Sequence, residues 1–254
     1  MLHELEMLGH QFIDSSTTIS PRKRDPATIV GALGLKWDTA NDHLFLPHVP
    51  IDTVSQPTLQ LILKQSAQIF DPLGILSVIT IRAKILMQTI RHASFLWDDQ
   101  LPVNLQEAWI EIANDLKQIS KHRSTRYTPV EEDVEIHAFA DASAKAYGTA
   151  IYLISNGKIT LIFAKTRLTP TRKLSIPKLE LLAALITSRA INFIESAFRK
   201  TTITRKIMWS DSKCVIAQIK TTKILPTYVE NRVTEIRKVP KPSSKTCAIC
   251  SQPG

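Results

Sequence analysis

The feature that most constrains the fold is a run of three strand-like segments at 134–141, 146–154 and 158–166. In the first, VEIHAFAD, Val, Ile, Ala and Ala alternate with Glu, His, Phe and Asp, which is the period of a strand with one buried face. The other two, AYGTAIYLI and KITLIFAKT, flank Ser155-Asn156-Gly157, a sequence typical of hairpin turns. Three successive strands favour an antiparallel meander.

Helical patterns surround this meander. Upstream, apolar spacing predicts helices beginning at Thr58, over 78–97 and over 105–120, and LGLKW and HLFLP predict a hairpin around DTAND. Downstream, we expect a long helix over 176–198, a fourth strand running into a helix at 206–219, and a last helix over 228–237. The polar segment 121–133 marks a domain boundary. The fold class is therefore α/β, with a mainly helical region followed by a mixed sheet with flanking helices.

Charge is distributed unevenly along the 254 residues. The segment from 158 to the end holds 19 Lys and Arg against 5 Asp and Glu, whereas 1–157 holds 13 against 18. A basic half of this kind indicates a polyanionic partner, bound through phosphate neutralisation; a solvated basic surface is the alternative. The basic side chains before the long helix are candidate nucleic-acid contacts or solvated loop charges: Lys165, Arg167, Arg172, Lys173 and Lys178.

Three carboxylates interrupt the strand and helix patterns described above. Asp141 ends the first strand, Glu180 lies in the first turn of the long helix within the apolar KLELLAAL, and Asp211 ends the fourth strand. If the first and fourth strands are neighbours at the sheet centre, their carboxyl ends and the covering helix bring the three acids together. Clustered carboxylates repel unless a cation relieves them, and hard divalent cations such as Mg²⁺ prefer oxygen ligands. Individually, each acid can instead be a turn residue, a first-turn acid or a helix N-cap.

The order of these acids resembles that in the ribonuclease H domain of reverse-transcribing elements. FADASAKAYGTAIYL, KLELLAALI and MWSDSKCVIAQI are similar to three motifs of that family. LGLKWD, QIFDPLGILSVITIRAKILMQ, LWDDQLP and SIPKLELLAAL are similar, in the expected order, to the BEL/Pao class of LTR retrotransposon polyproteins. The resemblance covers roughly residues 33–238.

The resemblance implies both domain organisation and function. It implies that 1–125 is the C-terminal, thumb- and connection-like region of a reverse transcriptase, that 130–238 is a ribonuclease H-like domain, and that 239–254 is an unstructured tail. The implied activity is hydrolysis of the RNA strand of RNA–DNA hybrids, with Asp141, Glu180 and Asp211 as catalytic ligands of Mg²⁺ or Mn²⁺. The implied partners are the hybrid and other parts of a pol polyprotein, without a membrane, in the cytoplasm (in a retroelement particle) or the nucleus.

Departures from the family leave alternatives open. The polymerase's paired aspartates are absent, and KVPKPSSKTCAICSQPG does not match the segment that carries the fourth ribonuclease H acid. The domain is therefore expected to be truncated, and a catalytically impaired nucleic-acid-binding remnant is a second hypothesis. The family label also names a peptidase, but no Asp-Thr-Gly or Asp-Ser-Gly occurs. An integrase-like nuclease is disfavoured because its acids follow an Asp-Asp-Glu order.

The cysteines and the hydropathy limit other functions. Three cysteines, Cys214, Cys247 and Cys250, make no disulfide framework and indicate a reducing compartment. The CAIC pair lacks the further ligands that a tetrahedral zinc site needs. No run approaches the roughly 20 apolar residues of a membrane helix, and the acidic N-terminus is not that of a signal peptide.

Overall fold

The structure is a computed structural model that describes residues 29–32, 35–47, 51, 56–119, 123–127, 133–198, 201–238 and 248–250. The chain divides into two compact units. One, the sheet unit, contains 129–163 and the chain from 170 onward; the other, the helical unit, contains 26–128 and 164–169. The N-terminal segment MLHELEMLGHQF, whose sequence is compatible with a short helix, lies outside the described residues.

The sheet unit is built on a five-stranded mixed sheet. Its strands are β5 (Val134–Ala142), β6 (Ala146–Ser155), β7 (Lys158–Leu168), β8 (Ile203–Trp209) and β9 (Ala248–Cys250), in the order β7-β6-β5-β8-β9. β5 pairs antiparallel with β6 and parallel with β8. Asn156 and Gly157 both have positive φ, 49° and 73°, as the two-residue turn between β6 and β7 requires. The predicted meander followed by a parallel strand is confirmed.

The described part of this unit contains three helices: α4 (Ile176–Ala197), α5 (Lys213–Lys220) and α6 (Thr227–Arg237). α4 begins after Ser175 with Pro177 in its first turn, where the missing N–H of proline has no helical acceptor to lose. Its apolar stripe packs on one face of the sheet, against Ile136 and Ala138 of β5. Since that face is the fully buried one, the opposite face carries Glu135, His137, Phe139 and Asp141 of β5.

The helical unit has its own sheet and core. Strands β1 (Ile29–Ala32), β2 (Leu35–Asp38), β3 (His43–Phe45) and β4 (Ser124–Thr125) pair antiparallel in chain order. Helices α1 (Leu59–Ala67), α2 (Ser77–His92) and α3 (Val103–Ile119) bury an apolar cluster that includes Ile62, Ile90 and Trp109. The expected hairpin around DTAND is thus present as β2 and β3.

Two predictions differ from the structure. Helix α2 ends at His92, not near residue 97, because Ser94 takes a positive φ of 63° that a helix cannot continue through. The tail, expected to be unstructured, contains the described strand β9, which pairs parallel with β8 from Ile207 to Trp209. β8 otherwise offers an open edge, and an Ala-Ile-Cys segment can supply the missing ladder.

The end of β7 lies in a different unit from the one expected. The predicted boundaries assign 164–169 to the C-terminal domain, whereas in the structure this end of β7 belongs to the helical unit. The reason is local contact: the backbone N–H of Ala164 donates to the carbonyl of Leu73 at 2.8 Å. None of the described helices is long and apolar enough to cross a bilayer.

Candidate active site

The carboxyl ends of β5 and β8 lie side by side in the sheet. The two strands run parallel, and Phe139 of β5 is paired with Trp209 of β8. Asp141 and Asp211 each follow two residues after that pair, so they occupy equivalent positions at one edge of the sheet. Both residues are exposed. The neighbouring strands expected from the sequence therefore exist, and they bring these two acids to a common edge.

Glu180 reaches the same edge from helix α4. Its Oε2 accepts a hydrogen bond from the hydroxyl of Ser212, the residue after Asp211. The Ser212 hydroxyl oxygen also accepts from the backbone N–H of Val215 at 3.2 Å and thereby caps α5. One buried serine thus connects the first turn of α4 to the start of α5. From the sequence, Asp211 is a candidate for this N-cap; in the structure the cap is Ser212, and Asp211 does not have that role.

The local structure around Asp141 explains why a turn follows it. Its Oδ1 accepts from the backbone N–H of Ala142 at 2.7 Å. The hydroxyl of Ser143 accepts from the backbone N–H groups of Lys145 and Ala146 and donates to the carbonyl of Ala146, which closes the small-residue turn. Asp141 is therefore held at the corner by its own backbone, with one carboxylate oxygen not engaged there.

The donor set and its arrangement give different answers about a metal. Three carboxylates are the oxygen ligands that a hard divalent cation takes. Among the described residues, however, no three His, Cys, Asp or Glu side chains lie close enough together to hold an ion. The acids therefore share an edge of the sheet and have suitable chemistry, but their side chains do not converge in this conformation.

His137 lies on the same face of β5 as Asp141, and both its ring nitrogens are engaged. The indole N–H of Trp209 donates to Nδ1 at 3.2 Å, so Nε2 carries the proton toward Glu135 Oε2, 2.9 Å away. The His137 and Trp209 rings stack with centroids 6.0 Å apart. These contacts fit a partly buried strand histidine with a structural role better than a general base.

The five basic candidates fall into both units. Lys165 and Arg167 lie on the end of β7 that belongs to the helical unit. Arg172 and Lys173 are exposed in the loop before α4. Lys178, in the first turn of α4, has its Nζ 5.3 Å from the centroid of the Tyr228 ring. Lys178 therefore has an aromatic partner, which the sequence did not indicate because Tyr228 is 50 positions away on α6.

A comparison with protein families gives one match of direct relevance. The family described as Pao retrotransposon-like RNaseH-like domain matches residues 58–212, which is more than half of the chain and includes all three acids. No curated protein sequence matches the chain.

The solved structures to which the chain is similar include two of a reverse transcriptase and one of a ribonuclease H. The foamy viral protease-reverse transcriptase in complex with RNA/DNA hybrid is 14% identical, with a TM-score of 0.52, over 87% of this chain and 29% of that one. A second foamy viral structure, in complex with double-stranded DNA, is 12% identical, with a TM-score of 0.51, over 88% and 38%. Ribonuclease H1 of Halobacterium salinarum is 14% identical over 47% and 86%, with a TM-score of 0.34. The chain thus spans about a third of the foamy viral proteins.

Proposed function

Because the chain belongs to the Pao retrotransposon-like RNaseH-like domain family, we propose that it hydrolyses the RNA strand of RNA–DNA hybrids. The observation that carries the proposal is the parallel pairing of β5 with β8, which puts Asp141 and Asp211 at one edge of the sheet. The hydrogen bond from Ser212 to Glu180 adds the third acid to that edge. On this proposal the helical unit is the C-terminal, thumb- and connection-like part of a reverse transcriptase.

Each side chain has a distinct task in this proposal. Asp141 and Asp211 are exposed, so their carboxylates are accessible to a phosphodiester and its counter-cation. Glu180 is half-buried, and the hydrogen bond that its carboxylate accepts from the Ser212 hydroxyl orients it. A divalent cation, Mg²⁺ or Mn²⁺, held by these three acids would lower the pKa of a bound water and neutralise charge on the phosphate.

Substrate selection would come from shape. A hybrid duplex is recognised mainly through backbone phosphates and 2′-hydroxyl groups, because its grooves limit direct contact with base edges. The net positive charge of residues 158–254 suits such a ligand. Arg172 and Lys173, in the loop before α4, and Lys178, in the first turn of α4, are the proposed backbone contacts in the sheet unit.

The direct test is a cleavage assay on a hybrid duplex labelled on its RNA strand. We expect cleavage with Mg²⁺ or Mn²⁺, none with EDTA, and a loss of about 10²-fold or more in Asp141→Asn, since several kcal/mol of transition-state stabilisation are removed. Asp133→Asn is the matched control: Asp133 is exposed, precedes the opposite end of β5, and has a positive φ that Asn tolerates. Equal activity of wild type and Asp141→Asn would refute the mechanism.

A second candidate function has its own supporting observation. No three-ligand group exists among the described side chains, and this favours a remnant that binds nucleic acid without cutting it. Such a protein would bind the hybrid in EDTA and in Mg²⁺ alike, and Asp141→Asn would bind at least as tightly because a negative charge is removed. Hybrid binding without any metal-dependent product would select this alternative over the nuclease.

A further inference from the structure

The end of β7 at 164–169 is attached to the helical unit by three hydrogen bonds, each of which a backbone carbonyl accepts. Ala164 N–H donates to the Leu73 carbonyl at 2.8 Å, and the Thr166 hydroxyl donates to the carbonyl of Ser77 at 3.4 Å. The Gln88 side-chain amide donates to the Thr169 carbonyl at 3.4 Å. The segment therefore lies along helix α2, from its first residue to its last turns.

This attachment brings a lysine of α2 to the same place as two cations of β7. Ser77, Lys84 and Gln88 are spaced i, i+7 and i+11, so they lie on one stripe of the helix, and both ends of that stripe contact 164–169. Lys165 and Arg167, two positions apart on a strand, project to one face of it. We call Lys84, Lys165 and Arg167 the β7–α2 cations.

Electrostatics agree with this placement. Burial lowers the pKa of the Lys165 ammonium, and the positive charges of Arg167 and Lys84 lower it further. Among the described residues, none of the three cations makes an ion pair with a carboxylate. Lys84 acts electrostatically on the carboxyl of Asp71, which is half-buried. Burial raises the pKa of Asp71, and its Oδ2 accepts a hydrogen bond from the backbone N–H of Leu76 at 2.8 Å.

Two arginines of the helical unit, by contrast, are paired with carboxylates. Arg82, two residues before Lys84, contacts Asp115 at 2.5 Å and Glu111 at 2.8 Å. Arg126 contacts Asp42 at 2.7 Å. Like charges held together without a counter-charge lower the stability of the folded chain. Unlike these two arginines, the β7–α2 cations have no carboxylate partner among the described residues, and their charge is therefore available to a ligand.

We propose that Lys84, Lys165 and Arg167 form a phosphate-binding site on the helical unit, which holds the backbone of a nucleic-acid duplex. Lys165 is half-buried, so its ammonium is partly desolvated and a phosphate oxygen replaces lost hydration. Lys84 and Arg167 are exposed and add charge on either side. The site reads no base, because contacts to phosphates position a duplex without specifying its sequence. The inference extends the proposed function, with which it shares its ligand.

The test measures binding of a short, mixed-sequence RNA–DNA hybrid to the full chain in EDTA, by fluorescence anisotropy over a range of salt. We expect Lys84→Gln, Arg167→Gln and Lys165→Met each to weaken binding about 5- to 10-fold near 0.1 M salt. Each should also reduce the slope of log K against log salt by about 0.9, the value for one lost phosphate contact. Because EDTA removes cleavage from the measurement, failure of the nuclease mechanism and failure of this site are separate results.

Control variants distinguish a specific phosphate-binding site from a general effect of removing positive charge. Lys64 is an exposed lysine of α1, and Lys64→Gln should leave affinity and slope unchanged. Lys165→Met should keep or raise the melting temperature, since it removes a desolvated charge that its neighbours repel. Wild-type binding by Lys165→Met, or an equal loss in Lys64→Gln, would overturn the site. Displacement of the hybrid by millimolar inorganic phosphate at constant ionic strength would overturn its assignment to a duplex backbone.

Discussion

Gly74 in the FDPLG loop offers a sharp test of how the end of β7 is held on the helical unit. Its φ is +72°, and a Cβ built on it would lie 1.6 Å from the Ala164 carbonyl oxygen, 2.5 Å from its carbon and 2.9 Å from Ser77 Oγ. Two of these three atoms are backbone, so no side-chain rotation relieves the overlap. Gly74→Ala therefore has to separate the loop from 164–169.

The cost can be worked out from its parts. A left-handed φ at an alanine destabilises the folded chain by about 1–2 kcal/mol. Replacing glycine also reduces the conformational entropy of the unfolded chain, which offsets about 0.4–1 kcal/mol of this loss. Separation of the segments removes the hydrogen bond from Ala164 N–H to the Leu73 carbonyl, worth about 1 kcal/mol, and overpacking adds about 1–3 kcal/mol. We expect a total of about 2–6 kcal/mol lost from the free energy of unfolding.

Gly157 provides the matched control, because its φ is +73° and a Cβ there meets nothing within 4 Å. Equilibrium urea unfolding, followed by circular dichroism and tryptophan fluorescence, should show about 1 kcal/mol lost in Gly157→Ala. Gly31→Ala, with open space and no positive φ, should be close to wild type. A difference below about 1 kcal/mol between Gly74→Ala and Gly157→Ala would refute the close approach of the loop and β7.

Three further predictions concern the sheet unit. Ser212→Ala removes both the N-cap of α5 and the hydrogen-bond donor to Glu180, so it should lower the free energy of unfolding by about 1 kcal/mol and reduce cleavage of the hybrid. Ser212→Thr retains the hydroxyl and should preserve both stability and cleavage. Unchanged cleavage in Ser212→Ala would contradict the positioning role of Ser212. The ammonium of Lys206 is fully buried and lies 2.7 Å from the carboxylate of Glu195, whose side chain is one-third exposed. Glu195→Ala removes that carboxylate and should lower the free energy of unfolding in urea by about 3 kcal/mol. Lys206→Met should cost less, because the carboxylate that remains can be hydrated. The hydrogen bond from Arg189 lowers the pKa of Glu235, so the pair stabilises the fold above the ordinary glutamate pKa, and this contribution is lost as the pH falls through the lowered pKa. Because both side chains are well exposed, the stability of Glu235→Gln and wild type should differ by less than about 1 kcal/mol at neutral pH. Thermal melts of the two proteins should converge in acid.

Several elements could be predicted because their causes are local. The alternation in 134–141 gives β5 its buried and open faces, and Asn156-Gly157 gives the turn after β6. Pro177 gives the start of α4. The end of α2 was missed because the apolar spacing continues through Phe95 and Leu96, whereas the backbone turns at Ser94. Periodicity reports which residues can be buried, but it does not report where the chain leaves the helix.

The candidate site divides in the same way. The three acids could be selected from sequence because each interrupts an apolar or strand pattern, and their order resembles that of a known family. Lys84 could not, since an exposed lysine on an amphipathic helix is ordinary until the opposing strand is known. The role of Ser212 toward Glu180 likewise depends on two residues 32 positions apart meeting at one edge.

The sequence alone determined the meander, the helices that flank it, the positions of the acids and the basic character of the C-terminal half. Only the tertiary structure decided that β5 and β8 pair in a register that aligns Asp141 with Asp211, and that 164–169 belongs to the helical unit. The physical reason is range. Strand period, turn conformation and helix capping depend on residues a few positions apart, whereas register and docking depend on packing between segments far apart in the chain, which leaves no local pattern.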